Sequence, residues 1–306
     1  MHNCQEISEG LVYLGGNDRR ISLFESAYPV PRGVSYNSYL LKDEKTVLID
    51  TVDTAVGDLF FENLAYALGG APLDYVIVQH MEPDHSATFA RLIELYPDVT
   101  VVTSQKAAVM LKNYFGYAGQ AHLVKEGDTL SIGKRTLTFV GAPMVHWPEV
   151  LFTYVPEDGI LFSADAFGTF GAVSGSIIAD KDVFEREYLD DARRYYFNIV
   201  GKYGVQVQAV LKKAAGLKIS TVCPLHGPVW KDGFAWYLDK YLTWSAYQPE
   251  EKCVAIFYAS VYGHTQNAAE IVASAIAAQG VRVKVFDVSV TDKSELVSAA
   301  FGCSHL

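Results

Sequence analysis

The sequence predicts an α+β protein whose C-terminal stretch begins an α/β doubly wound unit, and three observations carry that prediction. Short apolar runs bounded by Gly, Pro, Asp or Asn alternate with segments of helical periodicity. A strand-rich region occupies the middle of the chain. From Cys253 onward a strand, a small-residue loop, an amphipathic helix and a further strand follow in close succession.

The elements follow in order. Residues 39–41 and 47–49 form two strands around the turn 42–45, and the β-branched run 75–78 is a third strand leading through Gln79 to His80. Residues 86–96 read as a helix with Phe89, Leu92, Ile93 and Tyr96 at helical spacing; a strand over 99–103 and a helix over 105–114 come next. Strands over 137–140, 151–155 and 160–163 make the middle region. Residues 181–200 are mostly helical, 207–213 add a helix, and the strand 219–223 runs into Pro224-Leu225-His226-Gly227. In the last part, 253–258 is a strand, 259–263 a loop, and 265–279 a helix with Ala268, Ile271, Val272, Ala275 and Ile276 inward. Gly280 stops that helix before the strand 281–286.

Composition bounds the partners. Half of the 306 residues are apolar, enough for a large core. The net charge of −10, without a Lys/Arg-rich block, argues against nucleic acid and anionic membrane. No stretch approaches the roughly 20 apolar residues of a membrane span, and the polar N-terminus carries no signal-peptide pattern. Cys4, Cys223, Cys253 and Cys303 lack CxxC spacing, so the expectation is four ordinary thiols in a cytoplasmic protein. A polar stretch around Pro249 divides the chain into residues 1–250 and 251–306. The second part has only about 55 residues, short of the ~100–150 of a typical domain, and reads as incomplete.

The chemistry concentrates at His80-Met81-Glu82-Pro83-Asp84-His85, after a strand and before a helix. Pro83 stiffens the loop, so side chains converge instead of alternating across a sheet. His146, Asp165 and His226 each end a strand or lie just beyond one. A lone His or Asp in such a place is usually a packed residue or a turn former. Four ligand-type residues within six positions are costly to bury without metal or pairing. Imidazole and carboxylate donors without thiolate suit iron, manganese or zinc, and Glu82 adds a hard oxygen that lessens the preference for zinc.

His80-x-Glu82-x-Asp84-His85 with His146, Asp165 and His226 resembles the metal frame of the metallo-β-lactamase superfamily. Hydrolases of that superfamily usually carry His where this chain has Glu82, and the Glu-containing variant resembles the flavodiiron proteins. The segments 36–41, His146-Trp147-Pro148 and 163–167 are also similar to that family. The resemblance implies an αββα sandwich over residues 1–250. It implies one non-haem iron on His80, Glu82 and His146, a second on Asp84, His85 and His226, and Asp165 between them. In some members the histidine matching His85 swings away, which makes it a conditional ligand.

Phe257-Tyr258-Ala259-Ser260-Val261-Tyr262-Gly263-His264-Thr265 joins a strand to a helix, and its Ser-x-Tyr-Gly-x-Thr pattern resembles the phosphate loop of flavodoxins. Such a loop is often only a helix cap. Hydroxyls of Ser260 and Thr265, with backbone N–H groups around Tyr262, Gly263 and His264, also suit the phosphate of FMN. The chain stops where a third strand and the loops around a flavin ring are due, so the expectation is a truncated flavodoxin-like domain with an incomplete FMN site.

The function implied is reduction of dioxygen to water, of nitric oxide to nitrous oxide, or both. Electrons pass through FMN from a donor such as rubredoxin or a reduced deazaflavin. The family also implies a head-to-tail homodimer or a dimer of dimers. Two alternatives stand beside it: a dinuclear zinc hydrolase, against which Glu82 speaks, and a fragment that binds metal but cannot accept electrons. Trp147 and Phe167 are read equally as pocket lining or core. Tyr195 or Tyr196 is a candidate donor near the metals, Glu126 and Glu149 are read as surface charges, and His122 as no ligand.

Overall fold

The strands around the site are apolar at nearly every position, so they are built to be covered on both faces. The computed structural model describes residues 2–306 and bears this out. One mixed sheet runs, in spatial order, Gln5–Ser8, Leu11–Tyr13, Tyr39–Lys42, Thr46–Ile49, Tyr75–Val78, Thr100–Thr103 and His122–Leu123. Its first four strands pair antiparallel and the rest parallel. A second sheet runs Thr129–Ser131, Thr136–Gly141, Leu151–Val155, Ile160–Phe162 and Thr221–Cys223.

Side-chain alternation assigns the layers. Tyr39, Leu41, Val47, Ile49 and Ile77 of the first sheet share one buried cluster with Leu137, Phe139, Leu151 and Phe162 of the second. The intervening residues Leu40, Leu48, Val76 and Val78 pack with Phe60, Leu64, Phe89 and Leu92 from the helices Gly57–Leu68 and Phe89–Leu95. On the other side Phe152, Tyr154, Leu161 and Val222 meet Val207, Val210, Tyr237 and Tyr241 from Gly204–Ala214 and Phe234–Ser245. The order is helix, sheet, sheet, helix: the αββα sandwich. Each fully buried Leu, Ile, Val or Phe contributes about 1.5–3 kcal/mol, so these two clusters dominate stability.

Residues Glu251–Tyr258, Arg282–Asp287 and Cys303–His305 form a separate parallel sheet with the first strand central, flanked by the helices His264–Ala277 and Lys293–Gly302. The second of these helices docks on the larger unit. Phe301 stacks on Phe197 at 4.9 Å, and Arg194 donates to Ser294 Oγ at 3.0 Å.

Several expectations are corrected. The structure adds the helices Gly57–Leu68 and Phe234–Ser245 and several short strands before residue 36. The predicted helix 86–96 is two pieces: Pro83 begins Pro83–Ser86 at the first position, where its missing N–H costs nothing, and Thr88, outside helical geometry at φ −89° and ψ 1°, separates it from Phe89–Leu95. The long helix of 181–200 divides into Lys181–Glu187, Leu189–Tyr195 and a π-helical segment Tyr196–Val200. The helix after the glycine loop buries Ala269 and Ala273, not the predicted face, and leaves Ile271 and Val272 exposed. The narrow sheet covers only one stripe, and alanines let the backbones approach. Cys253 and Cys303 are not free thiols: they form a disulfide between neighbouring strands, Cα–Cα 5.0 Å, while Cys4 and Cys223 remain unpaired. Strand adjacency brings together cysteines that are 50 residues apart in sequence, which spacing alone does not reveal.

Candidate metal centre

All seven predicted ligands meet at one edge of the sandwich, on loops that follow strands. His80 and Glu82 leave the end of Tyr75–Val78, and Asp84 and His85 sit in the Pro83–Ser86 turn. Glu82 is the N-cap of that turn but makes no capping bond, which leaves its carboxylate to point into the site. His146 comes from the loop before Leu151–Val155, Asp165 from the loop after Ile160–Phe162, and His226 from the loop after Thr221–Cys223. Buried polar side chains hold these loops. Asn37 donates to the carbonyls of Pro224 and Gly227 at 2.8 Å each, and Tyr39 donates to Pro224 at 2.6 Å. Thr51 donates through its hydroxyl to the His85 carbonyl at 2.7 Å.

The side chains separate into two groups, His80–Glu82–His146–Asp165 and Asp84–His85–His226, each with ligand atoms close enough for one ion. Around the first, His146 Nε2 lies 2.9 Å from Glu82 Oε2 and 3.1 Å from Asp165 Oδ2, and His80 Nε2 lies 3.3 Å from Glu82 Oε2. Around the second, Asp84 Oδ2 lies 3.3 Å from His85 Nε2 and 3.2 Å from His226 Nε2. The other oxygen of Asp165, Oδ1, turns this way and sits 3.0 Å from His85 Nε2. One carboxylate therefore faces both groups with different oxygens. His85 points inward, with its ring 4.7 Å from that of His226.

The donor set fits two metal ions. Asp165 Oδ1 and both oxygens of Asp84 are buried without a hydrogen bond; the approach of His85 to Asp165 is close but badly angled for one. His85 Nε2 and His226 Nε2 face each other at 3.1 Å. Nitrogens and oxygens that converge without satisfying one another are suited to a shared cation. Without metal, burial acts against charge at His146, His226 and Asp165, yet the imidazole–carboxylate contacts win there. Burial lowers the pKa of His146 and of His226, but Asp165 with Glu82, and Asp84 with Asp165, raise each to about 9. Burial raises that of Asp165, but His85, His80 and His146 hold it well below the carboxylate range.

The surroundings sort the remaining candidates. The Tyr195 hydroxyl is buried without a partner, and its ring lies 5.5 Å from that of His226; burial, then Asp165, push the phenol well above its ordinary pKa. Tyr196 instead packs against Tyr241 and Trp244. Trp147 stands edge-on to His80 at 5.5 Å, whereas Phe167 is core, against Phe234 and Tyr241. His122 is exposed on an edge strand, and Glu126 is a surface charge paired with Lys213.

The comparisons decide the family. Residues 34–227 match the ODP family beta lactamase. The chain is 34% identical to a nitric oxide reductase of Moorella thermoacetica over 95% of its own length and 73% of that protein's. Its fold superimposes on the flavodiiron protein of Giardia intestinalis with a TM-score of 0.91 at 29% identity, covering 97% of this chain and 73% of that one. The chain belongs to the flavodiiron protein family. A rubredoxin oxygen:oxidoreductase from Desulfovibrio gigas gives the same TM-score, 0.91, at 29% identity, with 98% and 76% covered. This flavodiiron chain thus spans about three quarters of the length of these three proteins.

Three residues of the centre escaped the sequence reading. Glu149, read as a surface charge, is instead buried beside the first group. A carboxylate two positions beyond Trp147 carries no periodicity, so only its neighbourhood to a ligand was available as a signal. Asp50 is fully buried with a left-handed φ of 52°, and its Oδ1 accepts from the Gln79 backbone at 2.7 Å, which fixes the start of the ligand loop. Burial lifts its carboxyl to about 7. Glu25, on the strap beyond Leu23–Phe24, has a left-handed φ of 49°; burial, then the nearness of Glu82, push its carboxyl up to about 8. With Phe24, Tyr36 and Asp53 it lines a cleft of about 370 Å³ that opens onto Glu82 and Asp84.

At the other end of the chain, Ser260 Oγ accepts from Gly263 N at 2.9 Å, and Gly263 takes a left-handed φ of 86°. A Cβ there would meet nothing within 4 Å, so glycine serves the backbone conformation. Tyr262 is exposed, and the helix His264–Ala277 has no side-chain cap, so its first N–H groups are free to face an anion. No helix among the described residues is long and apolar enough to cross a membrane.

Proposed function

We propose that this chain forms the catalytic centre of a flavodiiron oxidoreductase that reduces dioxygen to water, nitric oxide to nitrous oxide, or both. The observation that carries the reading is Asp165. Its two oxygens face two separate groups of buried His, Asp and Glu side chains, one of which contains Glu82 in place of a hydrolase histidine. His80, Glu82 and His146 would hold one iron, Asp84, His85 and His226 the other, with Asp165 shared. Two ferrous ions supply paired one-electron reductants to small diatomic molecules. The protein contributes a cleft wide enough for such molecules, an aromatic wall of Phe24, Tyr36 and Tyr195 against His226, and the Tyr195 hydroxyl as a hydrogen-bond donor on the protected side.

The loop Ser260, Tyr262, Gly263, His264 and Thr265 is proposed to hold the phosphate of FMN. Residues 1–250 would be the diiron domain and 251–306 the first part of a flavin domain, a division supported by the separate sheet of the latter. Relatives named nitric oxide reductase and rubredoxin oxygen:oxidoreductase favour NO and O2 as substrates and rubredoxin as one class of donor. A head-to-tail homodimer is the assembly that would bring a flavin to these irons.

The test is the metal content of the chain as purified, measured together with consumption by the chemically reduced chain of NO under anaerobic conditions and, separately, of O2. Two irons per chain with turnover of either gas is the expected result. Two zinc ions with ester hydrolysis and no gas consumption would overturn the proposal.

A further inference from the structure

Glu149 is a buried carboxylate outside the seven proposed ligands. Its Oε1 lies 2.9 Å from His80 Nδ1, the ring nitrogen turned away from Glu82 and Asp165, and 2.9 Å from the backbone N of Met81. The Met81 N–H can only donate to Oε1, and an ionised carboxylate is acceptor-only, so the arrangement suits an Oε1 that accepts both from Met81 and from a proton on His80 Nδ1. That leaves His80 Nε2, which faces Glu82 and Asp165 at 3.3 and 3.6 Å, as the unprotonated, metal-facing nitrogen. The second oxygen of Glu149 is buried without a partner. Burying a carboxylate so incompletely paired is costly, and an amide or hydroxyl would satisfy Met81 as well.

The segment around Glu149 is braced for the task. Its carbonyl accepts from Ser104 Oγ at 3.0 Å, at the start of the helix Gln105–Phe115, and the same loop carries His146. The second group is supported differently. His226 Nδ1 meets only the backbone carbonyl of Ser35, at 2.8 Å, and His85 Nδ1 is buried without any hydrogen-bond partner.

We propose that Glu149 is a positioning residue that accepts the Nδ1 proton of His80, orients its Nε2 toward the metal, and makes the His80–Glu82–His146 half the tighter and first-filled of the two metal sites. The inference rests on the two-metal reading above. A carboxylate behind a ligating imidazole fixes the tautomer and makes the ring a stronger donor, and loss of such a partner typically weakens metal binding by about 10–100-fold.

The experiment is an anaerobic Fe(II) titration of metal-free full chain against a chromophoric chelator, resolving two dissociation constants for wild type, Glu149→Gln and Glu149→Ala. Cobalt-loaded protein gives a second readout: a hyperfine-shifted, exchangeable Nδ1–H proton of His80. Glu149→Gln keeps shape and an acceptor oxygen, so it is expected to fold even where Glu149→Ala does not. It should weaken the tighter site about 10–100-fold, leave the weaker site unchanged and shift the His80 proton signal. Unchanged constants in the Gln variant would overturn the proposal, as would an equal loss at both sites together with a lower melting temperature of the metal-free protein, which marks a merely structural role. A wild-type chain that binds no metal would overturn the two-metal reading itself, and this inference with it.

Discussion

Asp165 shows how a single side chain organises the centre. Its Oδ2 faces His146 at 3.1 Å and its Oδ1 faces His85 at 3.0 Å. Asp165→Ala is expected to leave at most one iron per chain and to abolish gas consumption, checked by metal analysis of the purified variant. Glu82 tests a different point, the choice of metal. In Glu82→His, a protein loaded with equal iron and zinc should retain a larger zinc fraction than wild type, because imidazole replaces a hard oxygen donor. Equal fractions would remove Glu82 from that argument. Tyr195 is testable through turnover: the Phe variant keeps the packing against Phe170 and His226 but loses the unpartnered hydroxyl. A roughly tenfold fall in turnover, about 1.4 kcal/mol of barrier, is expected with metal content unchanged.

Among the elements, the decisive ones are loops held by buried polar contacts. The Pro224–Gly227 loop that carries His226 is tied by Asn37, which is fully buried and donates to two of its carbonyls. Removing that amide leaves the buried Gly227 carbonyl without its donor, while Tyr39 still serves Pro224, so Asn37→Ala should cost about 1–3 kcal/mol. Thermal denaturation of the metal-free protein measures that cost, and Fe(II) titration should show weakened binding at the site that includes His226. The element types were largely legible. The run Tyr75–Val78 reads as a strand from its β-branched residues, and Pro83 announces the break that follows. The strands before residue 36 were not legible, because segments such as Gly16–Asp18 are too short and polar to carry a period. Glu149 and Asp50 were illegible for another reason: a buried acid looks like a surface acid until its neighbours are known.

For the whole molecule, the joint between the two units carries its own pH dependence. Glu250, at the junction, accepts from Arg193 Nε at 2.6 Å, Lys240 Nζ at 2.9 Å and Trp244 Nε1 at 3.0 Å. Burial raises its pKa, but Arg193, Lys240 and Trp244 outweigh burial and lower it from 4.5 to about 2. The folded value lies below the unfolded one, so this stabilisation is present in full above about pH 4.5 and is lost as pH falls toward 2. Melting temperatures measured across that window should fall less steeply in Glu250→Gln than in wild type, from a lower starting point at neutral pH.

The sequence by itself determined the candidate ligand types and their clustering, and its resemblance to a known family implied the sandwich. The first follow from local chemistry: His, Glu and Asp packed around Pro83 demand a cation or a partner. It also marked the glycine loop at Ser260–Gly263 as a strand-to-helix turn. Only the tertiary structure decided which oxygen of Asp165 faces which group, that His85 points inward, and that Glu149 stands behind His80. Those facts depend on four separate loops meeting at one edge, and on distances of about 3 Å between residues as far apart as His85 and His226. Convergence of that kind is set by how the two sheets pack, which no local pattern in the chain encodes.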